Sequence, residues 1–122
     1  ENYMSTVEGE KLPVSHCIKG SDGWKIRPRV AELIDDSLVF QKGTFPSLEL
    51  ANFIHEHKNE YEEIWLCGLV SDICVFSNAV MAKAAVSDTC HIKVIKSATS
   101  SFDLEMQERS FIMLKNLHID VI

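Results

Sequence analysis

The 122-residue sequence has no apolar run approaching the ~20 residues of a membrane-spanning helix, and its mean hydropathy is near zero. It also lacks a basic stripe. Its 18 acidic residues outnumber 12 basic ones, giving a formal charge of −6, which argues against a nucleic-acid-binding surface. Low-complexity tracts, internal repeats and Pro/Gly/Ser-rich linkers are missing, and with 46% hydrophobic residues the chain does not read as disordered. Cys17, Cys67, Cys74 and Cys90 form no Cys-x-x-Cys pair, and the first residues carry no signal-peptide pattern. The expectation is reduced thiols in a soluble cytoplasmic protein with no nucleic-acid or membrane partner.

The length suits a single domain, 1–122. Residues 1–36 are punctuated by Gly9, Pro13, Gly20, Gly23 and Pro28 and read as a long structured loop with one short helix around Val30–Ile34. A regular alternation follows. Ser37–Gln41 reads as a strand, and Leu48–Lys58 as a helix with Leu50, Phe53 and Ile54 at helical spacing. Glu63–Val70 is a nearly continuous apolar run, as for a strand buried on both faces, with Trp65 in the core. Ile73–Val86 reads as a largely buried helix and His91–Ile95 as a strand. Asp103–Leu117 reads as an amphipathic helix with Met106, Phe111, Ile112, Leu114 and Leu117 apolar, and His118–Ile122 as the last strand. The order β-α-β-α-β-α-β predicts an α/β fold, a Rossmann-like parallel sheet in a three-layer α-β-α arrangement. Four strands make a small sheet for this class, so the first β-α units are expected to lie ahead of Glu1.

In such sheets the chemistry sits beyond the carboxyl ends of the strands, in the loops that lead into helices. Gln41–Ser47 and Gly68–Cys74 are the two such loops that stand out. Cys74 is expected in the first turn of a helix, where unpaired amides and the helix dipole favour a thiolate. Lys42 could add a positive charge. A thiolate facing helix N-terminal amides is a competent nucleophile with an oxyanion site beside it. A small buried apolar residue is the other reading of Cys74, and a dipole-favouring residue at a helix start is the plain reading of Asp72. His55 and His57 do not share a helix face and read as solvated.

Three segments carry a family resemblance. Gly68-Leu69-Val70-Ser71-Asp72-Ile73-Cys74-Val75 resembles the nucleophile motif of the isochorismatase-like cysteine hydrolases, most closely the nicotinamidase branch. Val39-Phe40-Gln41-Lys42 resembles their strand ending in a catalytic Lys. Pro13-Val14-Ser15-His16-Cys17-Ile18-Lys19-Gly20-Ser21-Asp22-Gly23 resembles their His-Cys loop. The resemblance implies the isochorismatase-like hydrolase fold and cleavage of a small carboxamide, such as nicotinamide to nicotinate and ammonia. Cys74 would form a thioester, Lys42 would hold the thiolate, and the amides of Val70 and Cys74 would form the oxyanion hole. It also implies a cis peptide at Leu69–Val70, an aromatic substrate wall at Phe45 and a homo-oligomeric assembly.

The family's divalent metal (zinc, manganese or iron) would take His16 and Glu8 as ligands, but the Asp-x-His pair completing the set is not in this sequence. The family's catalytic Asp, at the end of an earlier strand, has no counterpart either, since the first Asp is Asp22. Both gaps lead to the expectation that Glu1 is an internal residue of the natural protein. Two positions depart from the nicotinamidase pattern: Pro13 replaces an aromatic wall, and Lys96-Ser97-Ala98 replaces a segment with Asp. Isochorismatase-type ether hydrolysis, another small substrate, a non-catalytic scaffold and a small redox protein using Cys67 are the alternatives.

Overall fold

The computed structural model describes residues 3–12, 14–87 and 90–122; Pro13 lies outside them. The chain separates into two compact units, one ending at Thr44 and one running from Phe45 to Ile122.

The first unit is built from short turns. Tyr3–Ser5 forms a 3-10 turn, and α1 (Val7–Lys11) is capped by Thr6, whose hydroxyl accepts from the Gly9 amide at 3.0 Å. The helix α2 (Pro28–Ala31) starts on Pro28, which loses nothing at a position whose N–H is unpaired anyway. It lies slightly ahead of the expected Val30–Ile34.

The strand expected over Ser37–Gln41 does not form. Asp35 instead caps a 3-10 turn over Asp36–Leu38, accepting from the Ser37 amide at 2.9 Å and the Ser37 hydroxyl at 2.7 Å. Short polar side chains offer the backbone this local alternative to a ladder. The two bonds also hold the Asp35 carboxyl below its ordinary pKa, the hydroxyl contributing most. Lys42 therefore follows a segment with no strand ladder, not a strand end.

The second unit carries the regular structure. The helix α3 (Leu48–Glu56) is capped by Ser47, which accepts from the Leu50 amide at 3.2 Å. Three parallel strands follow, β1 (Glu63–Leu69), β2 (His91–Ser100) and β3 (Asp120–Val121), in the spatial order β1-β2-β3. Between them run α4 (Phe76–Val86) and α5 (Leu104–Asn116), the latter capped by Asp103 on the Met106 amide at 3.0 Å. Parallel strands joined through helices give the expected α/β class.

The core gathers Val75, Ala79, Ala82 and Val86 with Ile92 and Val94 of β2, Phe111 and Leu114 of α5, and Ile119. Three of the four alanines of α4, Ala79, Ala82 and Ala85, are buried in this core, whereas Ala84 is exposed.

β1 alternates between exposed and partly buried residues instead of burying both faces, so Trp65 is not core and stays 55% exposed. Its indole donates to Glu63 Oε2 at 2.8 Å, and the Lys93 ammonium sits 5.6 Å from its ring. On α5, Phe111 and Leu114 are buried, whereas Met106, Ile112 and Leu117 are exposed, because the face turned to the core is narrower than the apolar pattern. His55 is not merely solvated, since its Nδ1 donates to the Ala85 carbonyl at 2.8 Å. His57 packs its ring 4.3 Å from that of Phe53. No helix among the described residues is long and apolar enough to cross a membrane.

Candidate active site

The loop at the end of β1 is organised around a change of helix type. The helix expected from Ile73 begins as one turn of π-helix, Ser71–Val75, with the Val75 amide donating to the Val70 carbonyl at 3.0 Å, and only then becomes α4. Single π turns often mark functional positions. Cys74 sits in this turn, partly buried, immediately ahead of α4. The peptide Leu69–Val70 is cis, as the resemblance implies, and Gly68 before it has φ +114°, a conformation suited to glycine.

A hydroxyl net holds the strand end. Ser71 is fully buried and donates to Gln107 Oε1 at 2.8 Å; its Oγ lies 2.9 Å from Thr99 Oγ1, which also donates to the Gly68 carbonyl at 2.7 Å. Each hydroxyl has one proton, so with Ser71 committed to Gln107 the Thr99 proton is shared between Gly68 and Ser71. This net depends on an irregular sheet register. From Leu66 to Gly68 two residues of β1 advance against five of β2, from Val94 to Thr99. That bulge brings Thr99 opposite Gly68.

On the other side of Cys74 stands Asn78. Its Nδ2 donates to the Cys74 carbonyl at 2.7 Å and to the Phe45 carbonyl at 3.0 Å, while its Oδ1 accepts from the Ser47 amide at 2.9 Å. Ser77 also donates to the Cys74 carbonyl, at 3.2 Å. Asp72 Oδ1 is buried without a hydrogen-bond partner.

The residues singled out from the sequence fall into two groups. Val70, Cys74 and Phe45 belong to the second unit, where Asn78 ties the backbones of Phe45 and Cys74 together. Lys42, His16 and Glu8 belong to the first. Lys42 Nζ donates to the Thr44 carbonyl at 3.1 Å, and the His16 ring nitrogen Nδ1 pairs with the Val14 carbonyl at 2.6 Å. All four cysteines are free, with Cys17 and Cys67 exposed. Cys90 is buried, and burial pushes its thiol pKa up.

Among the described residues no three His, Cys, Asp or Glu side chains come together as a metal-ligand set. Two donors, His16 and Glu8, fall short of the four or more that structural and catalytic metal sites use. His16 and Glu8 alone thus do not complete the expected divalent-metal site.

Ser71, Thr99, Gln107 and Asn78 were not singled out from the sequence. Asn78 carried one signal, an amide in a helix whose other residues, Lys83 apart, are apolar or small.

The family profile described as the isochorismatase domain matches residues 2–122. The chain belongs to this family. Its fold is the isochorismatase-like hydrolase fold, and solved structures align with it over most of its length. A nicotinamidase from Bacillus subtilis is 24% identical, with 96% of this chain and 67% of that chain covered and a TM-score of 0.75. A pyrazinamidase/nicotinamidase from Streptococcus mutans is 25% identical, with 93% and 66% covered and a TM-score of 0.73. The pyrazinamidase of Pyrococcus horikoshii, solved in complex with zinc, is 19% identical, with 100% and 69% covered and a TM-score of 0.71. The isochorismatase-family chain thus spans about two thirds of the length of these proteins. No curated protein matches it.

Proposed function

We propose that this isochorismatase-family chain carries the nucleophile of a nicotinamidase-like cysteine amidohydrolase. The observation that carries the reading is the position of Cys74, in a π turn that follows the cis peptide Leu69–Val70 and opens onto α4. A thiolate there meets amides at the positive end of a helix, which suits attack on a carbonyl.

The reaction runs in two steps. The Cys74 sulfur bonds to the carboxamide carbon, and the backbone amides of Val70 and Cys74 receive the developing oxyanion. The tetrahedral species collapses with loss of the amine, which takes up a proton and leaves as ammonia, and a thioester remains on Cys74. Water then attacks the thioester, releasing the carboxylate and returning the thiol. By the family resemblance Lys42 has the role of holding the thiolate, and Phe45 offers an aromatic wall to a flat ring such as a pyridine.

No step is routed through a metal; if zinc, manganese or iron binds the protein, His16 and Glu8 are two of its donors. The free thiols accord with a cytoplasmic setting, and a homo-oligomer is the proposed assembly. Titrating ammonia released from nicotinamide, beside Cys74→Ala and Lys42→Ala, tests the reading. Release that disappears in Cys74→Ala is expected. Undiminished release in that variant, or none from the parent protein, rejects it.

A further inference from the structure

The amide orientation of Asn78 is fixed by its partners. Nδ2 faces two carbonyl oxygens, of Cys74 and Phe45, and Oδ1 faces one N–H, of Ser47. Rotating the amide by a half-turn would set oxygen against two carbonyls and nitrogen against an N–H, so the assignment follows from the network alone. Both N–H groups of the carboxamide are used on backbone atoms that are 29 positions apart in the sequence.

The segment so gripped is short and stiff. Pro46 locks φ between Phe45 and Ser47, and the Ser47 hydroxyl is committed to capping α3. Asn78 therefore clamps Phe45-Pro46-Ser47 at both ends, at the Phe45 carbonyl and the Ser47 amide. The same amide nitrogen holds the carbonyl of Cys74 itself.

We infer that Asn78 is a positioning residue that sets Phe45 against Cys74 and thereby makes the site selective for flat aromatic carboxamides over aliphatic ones. The inference rests on the reading of Cys74 as nucleophile and Phe45 as the ring-binding wall. Asn78 itself does not touch the substrate. It acts by fixing where the wall stands relative to the sulfur, and a wall displaced by an ångström loses most of its benefit to a near-attack geometry.

The test uses thiol alkylation, which needs no turnover. The rate at which N-phenyl iodoacetamide labels Cys74 is divided by the rate for iodoacetamide, both read by site-resolved mass spectrometry on the full chain. The aromatic preference is measured in the parent, Phe45→Ala, Asn78→Ala, Asn78→Asp and the double variant Asn78→Asp/Phe45→Ala. Asn78→Asp keeps the shape and the bond from the Ser47 amide while losing both donors, so it separates positioning from a folding defect.

The parent should prefer the aromatic reagent. A stacked ring contact is worth about three- to tenfold in rate, and Phe45→Ala should lose that much. Asn78→Asp and Asn78→Ala should lose a similar factor, and the double variant should lose no more than either single change. An unchanged ratio in the Asn78 variants, losses that multiply in the double variant, or a parent with no aromatic preference each overturns the inference. Ammonia release from nicotinamide is assayed on the same preparations. Its absence from the parent rejects the amidohydrolase reading, while the alkylation ratio still decides the role of Asn78.

Discussion

Replacing Ser71 by alanine removes the centre of the hydroxyl net behind the nucleophile turn. Ser71 is fully buried, and the change deletes its contacts with Gln107 at 2.8 Å and Thr99 at 2.9 Å. A net intramolecular hydrogen bond contributes about 0.5–1.5 kcal/mol, and a buried group left unpaired costs about 1–3 kcal/mol. The two partners are not equally stranded. Thr99 keeps the Gly68 carbonyl as an acceptor, and Gln107 is only partly buried, so water can reach its amide. The expected loss therefore falls at about 1–2 kcal/mol, below the cost of two orphaned groups.

Thr99→Val, close in shape, removes the Ser71 contact and the bond to Gly68 together. Because the two variants share one contact, their effects should fall short of additive by about 1 kcal/mol. Urea unfolding of the four proteins, followed by far-UV circular dichroism, measures this directly, with the denaturant slope unchanged if only the native state is affected. A Ser71→Ala protein within about 0.5 kcal/mol of the parent would refute the argument that the net holds the strand end. Full additivity with Thr99→Val would refute it equally.

Leu114 is completely buried between α5 and the sheet, so Leu114→Ala should destabilise the protein by about 2–5 kcal/mol in urea unfolding, and a loss below ~1 kcal/mol would contradict its place in the core. Glu63 accepts bonds from Lys93 first and from Trp65 second, and both hold its carboxyl below the ordinary glutamate pKa. A lowered folded-state pKa means this stabilisation is complete above the ordinary value and is lost as pH falls through the folded one. Urea midpoints between about pH 6 and pH 3 should therefore fall further in the parent than in Glu63→Gln, and parallel curves would contradict the assignment.

The strongly patterned half of the chain was readable without coordinates. The run Glu63–Val70, the segment around His91 and the helix after Asp103 all appear within a few residues of where they were expected, because their hydrophobic periods and caps agree with the tertiary structure. β2 continues to Ser100, past the expected Ile95, through the bulge that no local pattern announces. Ser37–Gln41 was misread because apolar content alone does not make a strand. Asp35 captures Ser37 locally, and a strand needs a partner. Trp65 was misplaced because Trp65, Cys67 and Leu69 are apolar on the exposed face as well, which hides the alternation of β1.

The site was legible in part. The motif Gly68–Val75 pointed to the cis peptide and to the turn in which Cys74 lies, whereas the groups that hold the motif had no such signal. Ser71, Thr99 and Gln107 meet across 28 and 36 positions, and Asn78 reaches Phe45 across 33. Such contacts are set by strand register and helix packing, which single-sequence patterns do not carry. For the metal, the sequence offered His16 and Glu8 without the rest of a ligand set, and no third ligand joins them among the described residues.

The central claim is that Cys74 carries the acyl group, and partitioning of that intermediate tests it most directly. Nicotinamide is incubated with the protein and rising concentrations of hydroxylamine, and nicotinate, nicotinohydroxamate and ammonia are quantified together. A Cys74 thioester predicts hydroxamate forming at the expense of nicotinate while total acyl product keeps pace with ammonia, with both products gone in Cys74→Ala. Nicotinate released with no hydroxamate at any hydroxylamine concentration, or acyl transfer that survives Cys74→Ala, would contradict the account.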